Sequence, residues 1–252
     1  MKDNTTHWGH VAEWYDGMVR DPDSYQQGVI LPNLIRMMQI VKGESVLDLA
    51  CGQGFFSKVF FDAGAKVSGA DAGEELVEFA KRLVPEAAFR VADSHRLLFV
   101  ADASMDKIAI VLALQNIKKL QETIIECARV LKPTGKLFIV LNHPSFRVPR
   151  ASAWGFDEKM NVQYRRVDSY LSESQIQIDM HPGSDKKVFT TSFHRPLQVY
   201  MKALAKSGFV ITRLEEWISH RKSEAGPRQQ AEDKARNEIP LFLALEVKIV
   251  KI

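Results

Sequence analysis

The stretch Ser45-Val46-Leu47-Asp48-Leu49-Ala50-Cys51-Gly52-Gln53-Gly54 leaves this chain few folds to choose from. Val46, Leu47 and Leu49 make a short apolar run, the composition of a strand covered on both faces. Gly52 and Gly54 follow; lacking a Cβ, they permit a sharp turn and a close approach to a ligand. Residues 55–61 then read as a helix. Strand, glycine turn and helix together set a pocket at the C-terminal end of a strand, where open α/β sheets bind nucleotide-like ligands. Two residues separate this turn from the dinucleotide fingerprint G-x-G-x-x-G. Ser57 stands at the third glycine, and Asp48 lies inside the strand end, four residues before Gly52.

Two more acids follow in order. Residues 65–71 read as a second strand ending in Asp71, and the run 88–90 leads to Asp93 and Ser94. A carboxylate suits a sugar diol, because it only accepts hydrogen bonds and takes two O–H donors at once. Each acid alone is also an ordinary helix cap. Three strand-end acids around one G-x-G narrow the reading.

The spacing of Asp48, Gly52 and Gly54 resembles motif I of the class I S-adenosylmethionine (SAM) methyltransferases. Leu131-Lys132-Pro133-Thr134-Gly135-Lys136-Leu137 resembles the helix, turn and fifth strand of the same family. The likeness covers roughly residues 40–141 and is of the ubiquinone-biosynthesis-like, small-molecule type. It implies an α/β fold: a Rossmann-like seven-stranded sheet, helices on both faces, last strand antiparallel. It implies SAM as cofactor, with S-adenosyl-L-homocysteine as product. Asp71 would hold the ribose hydroxyls and Asp93 would sit beside the adenine amino group. Asp48, Ala50, Cys51, Gly52, Gly54, Ala72, Ser94 and Leu112 would line the cofactor. Trp8, Val11, Trp14 and Tyr15 recur at helical spacing and resemble an N-terminal cover that lays Tyr15 over the cofactor; Tyr25, on the next predicted helix, joins that set.

Composition bounds the rest. A chain of 252 residues with 46% hydrophobic content suits one domain spanning 1–252, with an insertion. A net charge of +3 is too mild to imply nucleic acid. The cysteines, Cys51 and Cys127, form no metal spacing and no disulfide framework, so no metal is expected. The polar N-terminus has no signal-like apolar core, and no run is long enough for a membrane span. A reducing cytoplasm is the expected compartment and a small molecule the expected acceptor.

Further along, Ser24 is placed to cap a helix that Pro32 kinks or restarts and Gly43 ends. Helices are predicted over 74–83, 121–131 and 196–206, and strands over 105–114, 137–141, 209–214 and 241–249. Residues 219–239 read as an exposed, mobile loop or helix. Residues 145–195 exceed an ordinary connection and carry β-like runs at 163–167, 175–178 and 187–191. They predict a small, partly β cap inserted after strand five. Asn116, Trp154, Tyr164, Arg165 and Arg166 are the expected acceptor contacts, with Arg165 or Arg166 gripping an acidic group. A solvated face with scattered aromatic packing is the plainer reading of the same residues.

Methyl transfer from a sulfonium to an O, N or C nucleophile needs alignment above all. A hydroxyl acceptor also needs a base, and His143 falls at the end of strand five. Its plainer role is a turn histidine bonded to its own backbone; His181 and His194 are further candidates. An RNA or protein methyltransferase would need a basic stripe, which the cap arginines offer, but residues 115–117 lack an Asn-Pro-Pro-Tyr type motif. A SAM-binding protein without turnover is the rival of a different class. Ser57 and Asp48 disfavour an NAD-dependent dehydrogenase.

Overall fold

The computed structural model describes residues 17–19, 21–179 and 189–250. A π-helical turn, Gln26–Ile30, runs into α1 (Leu31–Met38). There follow β1 (Ser45–Leu49), α2 (Phe55–Asp62), β2 (Lys66–Asp71), α3 (Glu74–Leu83), β3 (Ala88–Val91), β4 (Met105–Val111), α4 (Leu120–Val130) and β5 (Leu131–Asn142). Two antiparallel hairpins come next: β6 (Ser152–Asp157) with β7 (Val162–Val167), and β8 (Ser174–Asp179) with β9 (Phe189–His194). The chain continues through α5 (Leu197–Lys206), β10 (Phe209–Trp217), α6 (Gln229–Glu238) and β11 (Phe242–Ile249).

The main sheet has seven strands in the order β10-β11-β5-β4-β1-β2-β3. β11 runs antiparallel to both neighbours, and the other pairings of this sheet are parallel. Strand order turns back between β1 and β4, so the ligand crevice lies beyond their C-terminal ends.

Strand periodicity explains the layers. Leu47, Leu49, Ile108, Ile110, Leu137, Ile139, Leu141, Leu243 and Leu245 point to one face and pack under α4 and α5. Their alternating neighbours Val46, Ala109, Phe138, Val140, Phe242 and Ala244 point to the other and pack under α1 and Phe60. Burial of both faces makes the strands read as nearly continuous apolar runs. β11 begins with six buried residues, and its inner position is the one its apolar start predicts.

Several boundaries differ from the sequence expectation. The helix passes from π to α at Leu31, beside Pro32, where a kink or restart is expected, but it ends at Gln39, which takes the left-handed conformation (φ 48); Gly43 serves the turn after it. β4 stops at Val111 because Leu112 turns left-handed (φ 53). Pro133 and Gly135 do not end a segment. They lie within β5, where the β4 register jumps from Met105↔Leu131 to Lys107↔Lys136, a bulge that absorbs both turn residues. Within 219–239, read as an exposed loop or helix, residues 229–238 form the helix α6, which packs against β7, and Arg228 pairs with Glu158. Among the described residues, no helix is long and apolar enough to cross a membrane.

Candidate active site

At the end of β1 the chain turns through three left-handed residues, Ala50 (φ 59), Gly52 (φ 54) and Gly54 (φ 86). The two glycines do different work. A Cβ on Gly52 would meet nothing within 4 Å, whereas one on Gly54 would come 3.0 Å from Ala80 Cβ on α3. Gly52 therefore keeps space open, and Gly54 allows α2 and α3 to pack. Ala50, like Leu112 at the end of β4, holds a left-handed backbone without being glycine, which costs of order 1 kcal/mol. Both strained residues border the crevice.

The acids divide as well. Asp71 accepts the Gly52 N–H on Oδ2 (2.9 Å) and the Gly73 N–H on Oδ1 (2.8 Å). Each oxygen keeps one accepting position for a ligand hydroxyl. Desolvation raises the Asp71 pKa despite these donors. Asp48 is 2% exposed, and its Oδ2 accepts a 2.6 Å bond from the Ser57 hydroxyl. Burial pushes its pKa up to about 7. The residue that breaks the third-glycine rule thus ties α2 to β1 through Asp48. The structure sets Asp48 behind the turn and not at its surface, so it holds the turn's shape. Cys51 points away from the crevice into a small cluster with Val77, Ala80, Val84 and Phe89, and burial drives its thiol pKa up. At the end of β3, Asp93 is exposed and Ser94 bonds Thr123 of α4 (2.8 Å); Ala72 is exposed beside Asp71.

Beyond β5, His143 is 3% exposed and both its ring nitrogens are engaged. Nδ1 accepts the Ser145 N–H (3.2 Å), which leaves Nε2–H to donate to Glu216 Oε1 (2.7 Å). Burial lowers its pKa, with Glu216 opposing. His143 has no free lone pair; the turn reading holds, with an added carboxylate partner. The Glu216 side chain is half exposed. Tyr25 lies on the same edge, against Phe242 (5.8 Å) and His220 (5.5 Å).

The cap is fastened to the end of β4. Asn116 Nδ2 donates to the Thr191 carbonyl (2.9 Å), and the buried Arg195 donates to the carbonyls of Leu114, Ile117 and Lys118. Asn116 therefore anchors the cap. His194 bonds the Tyr170 carbonyl (2.8 Å) and is buried with β9. On the other hairpin Trp154 pairs with Arg165 across the strands, and the guanidinium lies 5.2 Å over the indole. Arg165 also donates to the Phe146 carbonyl and the Ser152 hydroxyl (2.8 Å each), facing the body. Strand alternation turns Tyr164 and Arg166 to the opposite, exposed side, where Arg166 pairs with Asp168 (3.0 Å). Of the two arginines expected to grip an acid, the geometry retains Arg165 only. Tyr15 and His181 lie outside the described residues.

Residues 47–139 match the model of the methyltransferase domain. A demethylmenaquinone methyltransferase of Renibacterium salmoninarum is 36% identical over 107 residues, 42% of this chain and 45% of that protein. A ubiquinone biosynthesis O-methyltransferase of Coxiella burnetii is 28% identical over 168 residues, 64% of this chain and 70% of that one. A crystal structure of a SAM-dependent methyltransferase from Mesorhizobium loti superposes with a TM-score of 0.68 at 25% identity, covering 86% of this chain and 95% of that one. This chain is similar to the class I SAM-dependent methyltransferases, with a methyltransferase domain matched over residues 47–139. It spans about half the length of the first curated relatives it matches.

The methyltransferase crevice fits its cofactor on its own residues. Gln53 Nε2, inside the glycine turn, is buried with no hydrogen-bond partner among the described residues, a donor suited to the carboxylate that SAM carries. Gln115 Oε1 and Thr190 Oγ1 are orphaned in the same way. Gln115 Nε2 donates to the Leu112 carbonyl (2.6 Å), which fixes the amide so that its oxygen stays free to accept. Buried unsatisfied groups are rare and call for a ligand or water. Sequence reasoning missed Gln53, Gln115 and Thr190. A glutamine between the two turn glycines was the one local signal.

Proposed function

We propose that this protein transfers the methyl group of SAM to a small-molecule acceptor held between the ends of β4 and β5 and the hairpin cap. The observation that carries the reading is Asp71: two backbone N–H groups fix its carboxylate, and its remaining accepting positions suit a ribose diol. The relatives named for menaquinone and ubiquinone biosynthesis favour a ring-bearing small molecule over nucleic acid or protein. A cytoplasmic setting is in keeping with Cys51 and Cys127, both free and buried.

SAM, when bound, supplies an activated methyl on a sulfonium sulfur. Asp71, Gly52, Gln53 and Asp93 would hold it, and the cap would exclude water. What remains for the protein is alignment and, for a hydroxyl acceptor, removal of one proton. The Nδ1 lone pair of His143 is taken by the Ser145 N–H and its Nε2–H donates to Glu216, so we assign the proton to Glu216 and make His143 the group that positions it. The general-base role first assigned to His143 thereby moves one side chain outward.

Turnover tests this. Protein, isotopically methyl-labelled SAM and a panel of phenols, aromatic acids, quinols and amines should give labelled product and equimolar S-adenosyl-L-homocysteine for one class. SAM binding without turnover on any member would return the protein to the non-enzymatic reading.

A further inference from the structure

Most cations around the crevice mouth are neutralised. Arg221 lies 4.7 Å over the Tyr25 ring but pairs with Asp23 (3.2 Å), Arg166 with Asp168 and Arg228 with Glu158. Two are not. Arg147 sits one turn beyond His143, its N–H bonded to the His143 carbonyl (2.9 Å), and it is half-buried with its guanidinium 5.8 Å over Phe242. Among the described residues its side chain meets no carboxylate and donates no hydrogen bond. Arg165 reaches back from the cap to the carbonyl of Phe146, the residue beside Arg147, and it too meets no carboxylate. Burial lowers the pKa of both guanidiniums; for Arg147, Tyr25 opposes this and the charge of Arg165 adds to it. Two like charges brought together under partial burial are costly unless something negative joins them. The acid of this edge, Glu216, is already engaged by His143.

The walls say what kind of anion. Phe242 lies under Arg147, Trp154 under Arg165, and Tyr25 and Phe146 stand beside them. Flat apolar faces with paired guanidiniums suit a planar body ending in a carboxylate, which takes a two-point fork from arginine. We propose that Arg147 and Arg165 form a carboxylate subsite, so that the acceptor is an aromatic or similarly flat carboxylic acid. This rests on the methyltransferase reading for the word acceptor, but not for the subsite itself.

The test uses the whole chain and calorimetry with benzoate and cinnamate, each against its methyl ester, with inorganic phosphate as a further probe. Titrations are run with and without S-adenosyl-L-homocysteine. The acids should bind and the esters bind about tenfold or more weakly. Arg147→Gln and Arg165→Gln should each lower acid affinity about ten- to a hundredfold. Arg147→Lys should recover part of it, and every variant should keep the parent's homocysteine-product affinity within about twofold, a readout that also reports folding. Equal affinity for acid and ester, phosphate binding without acid binding, or variants indistinguishable from the parent would overturn the subsite. Failure of S-adenosyl-L-homocysteine to bind, with Arg147-dependent acid binding intact, would instead overturn the methyltransferase reading and leave the subsite standing.

Discussion

At the residue scale, the acids at the strand ends do unlike work. The carboxylate of Asp71 is already fixed by the Gly52 and Gly73 N–H groups, and we propose that it meets the cofactor. Asp71→Ala should weaken SAM binding by about 1.5–3 kcal/mol, roughly ten- to a hundredfold, with an unchanged circular dichroism spectrum. Asp48 faces α2. Its folded pKa of about 7 lies above the ordinary value of 3.8, so the folded state holds a proton that the unfolded chain releases. Stability from this group is fully present below about pH 4 and is lost as pH rises to about 7. Asp48→Asn keeps an acceptor for Ser57 and removes the titration. The variant's denaturation midpoint should rise relative to the parent's between pH 4 and pH 8; a pH-independent difference would show that Asp48 is not buried as a titrating group. The glycines are predicted to separate too. Gly54→Ala should lower the melting temperature through its 3.0 Å approach to Ala80, while Gly52→Ala should fold and lose cofactor affinity. Glu216→Gln should reduce turnover on a hydroxyl acceptor by about 10²–10⁴ with SAM affinity intact. Full turnover in that variant would leave alignment as the whole mechanism.

At the scale of elements, what the sequence disclosed was what is local. β1, the glycine turn and α2 could be read from adjacent residues, because apolar runs and positive-φ glycines act over a few positions. The β5 bulge was hidden, since Pro133 and Gly135 look like turn residues and become strand only through pairing with β4. β6 was missed because Trp154, Gly155 and Phe156 form no alternating run; its cross-strand partners define it. The cap's fastening was also hidden: Arg195 reaches carbonyls some 80 positions earlier in the chain. Arg195→Ala would leave the buried Leu114 carbonyl unmet, at about 1–3 kcal/mol if it stays dry, and would release the carbonyls of Ile117 and Lys118. Hydrogen exchange in β8 and β9 should then speed up well ahead of that in β1 and β4. Uniform protection across both would show that the clamp does not hold the cap.

For the whole molecule, we propose that one sheet supports two half-sites. The ends of β1, β2 and β3 carry Gln53, Asp71 and Asp93; the ends of β4, β5 and β10 carry Gln115, the His143–Glu216 pair and Arg147 under the cap. The first half was legible, because its acids follow their strands at fixed offsets. The second was not, because Arg147 and Gln115 matter for the partners they lack, and that depends on residues far away in the chain. The two halves adjoin at the switch between β1 and β4, the arrangement that methyl transfer between a cofactor and a separate acceptor requires. Calorimetric titration of the whole chain with SAM, S-adenosyl-L-homocysteine and NAD tests this most directly. SAM and its demethylated product should bind at one site, NAD should not, and Asp71→Ala should weaken both by about ten- to a hundredfold. NAD binding more tightly than SAM, or SAM binding unaffected in Asp71→Ala, would contradict it.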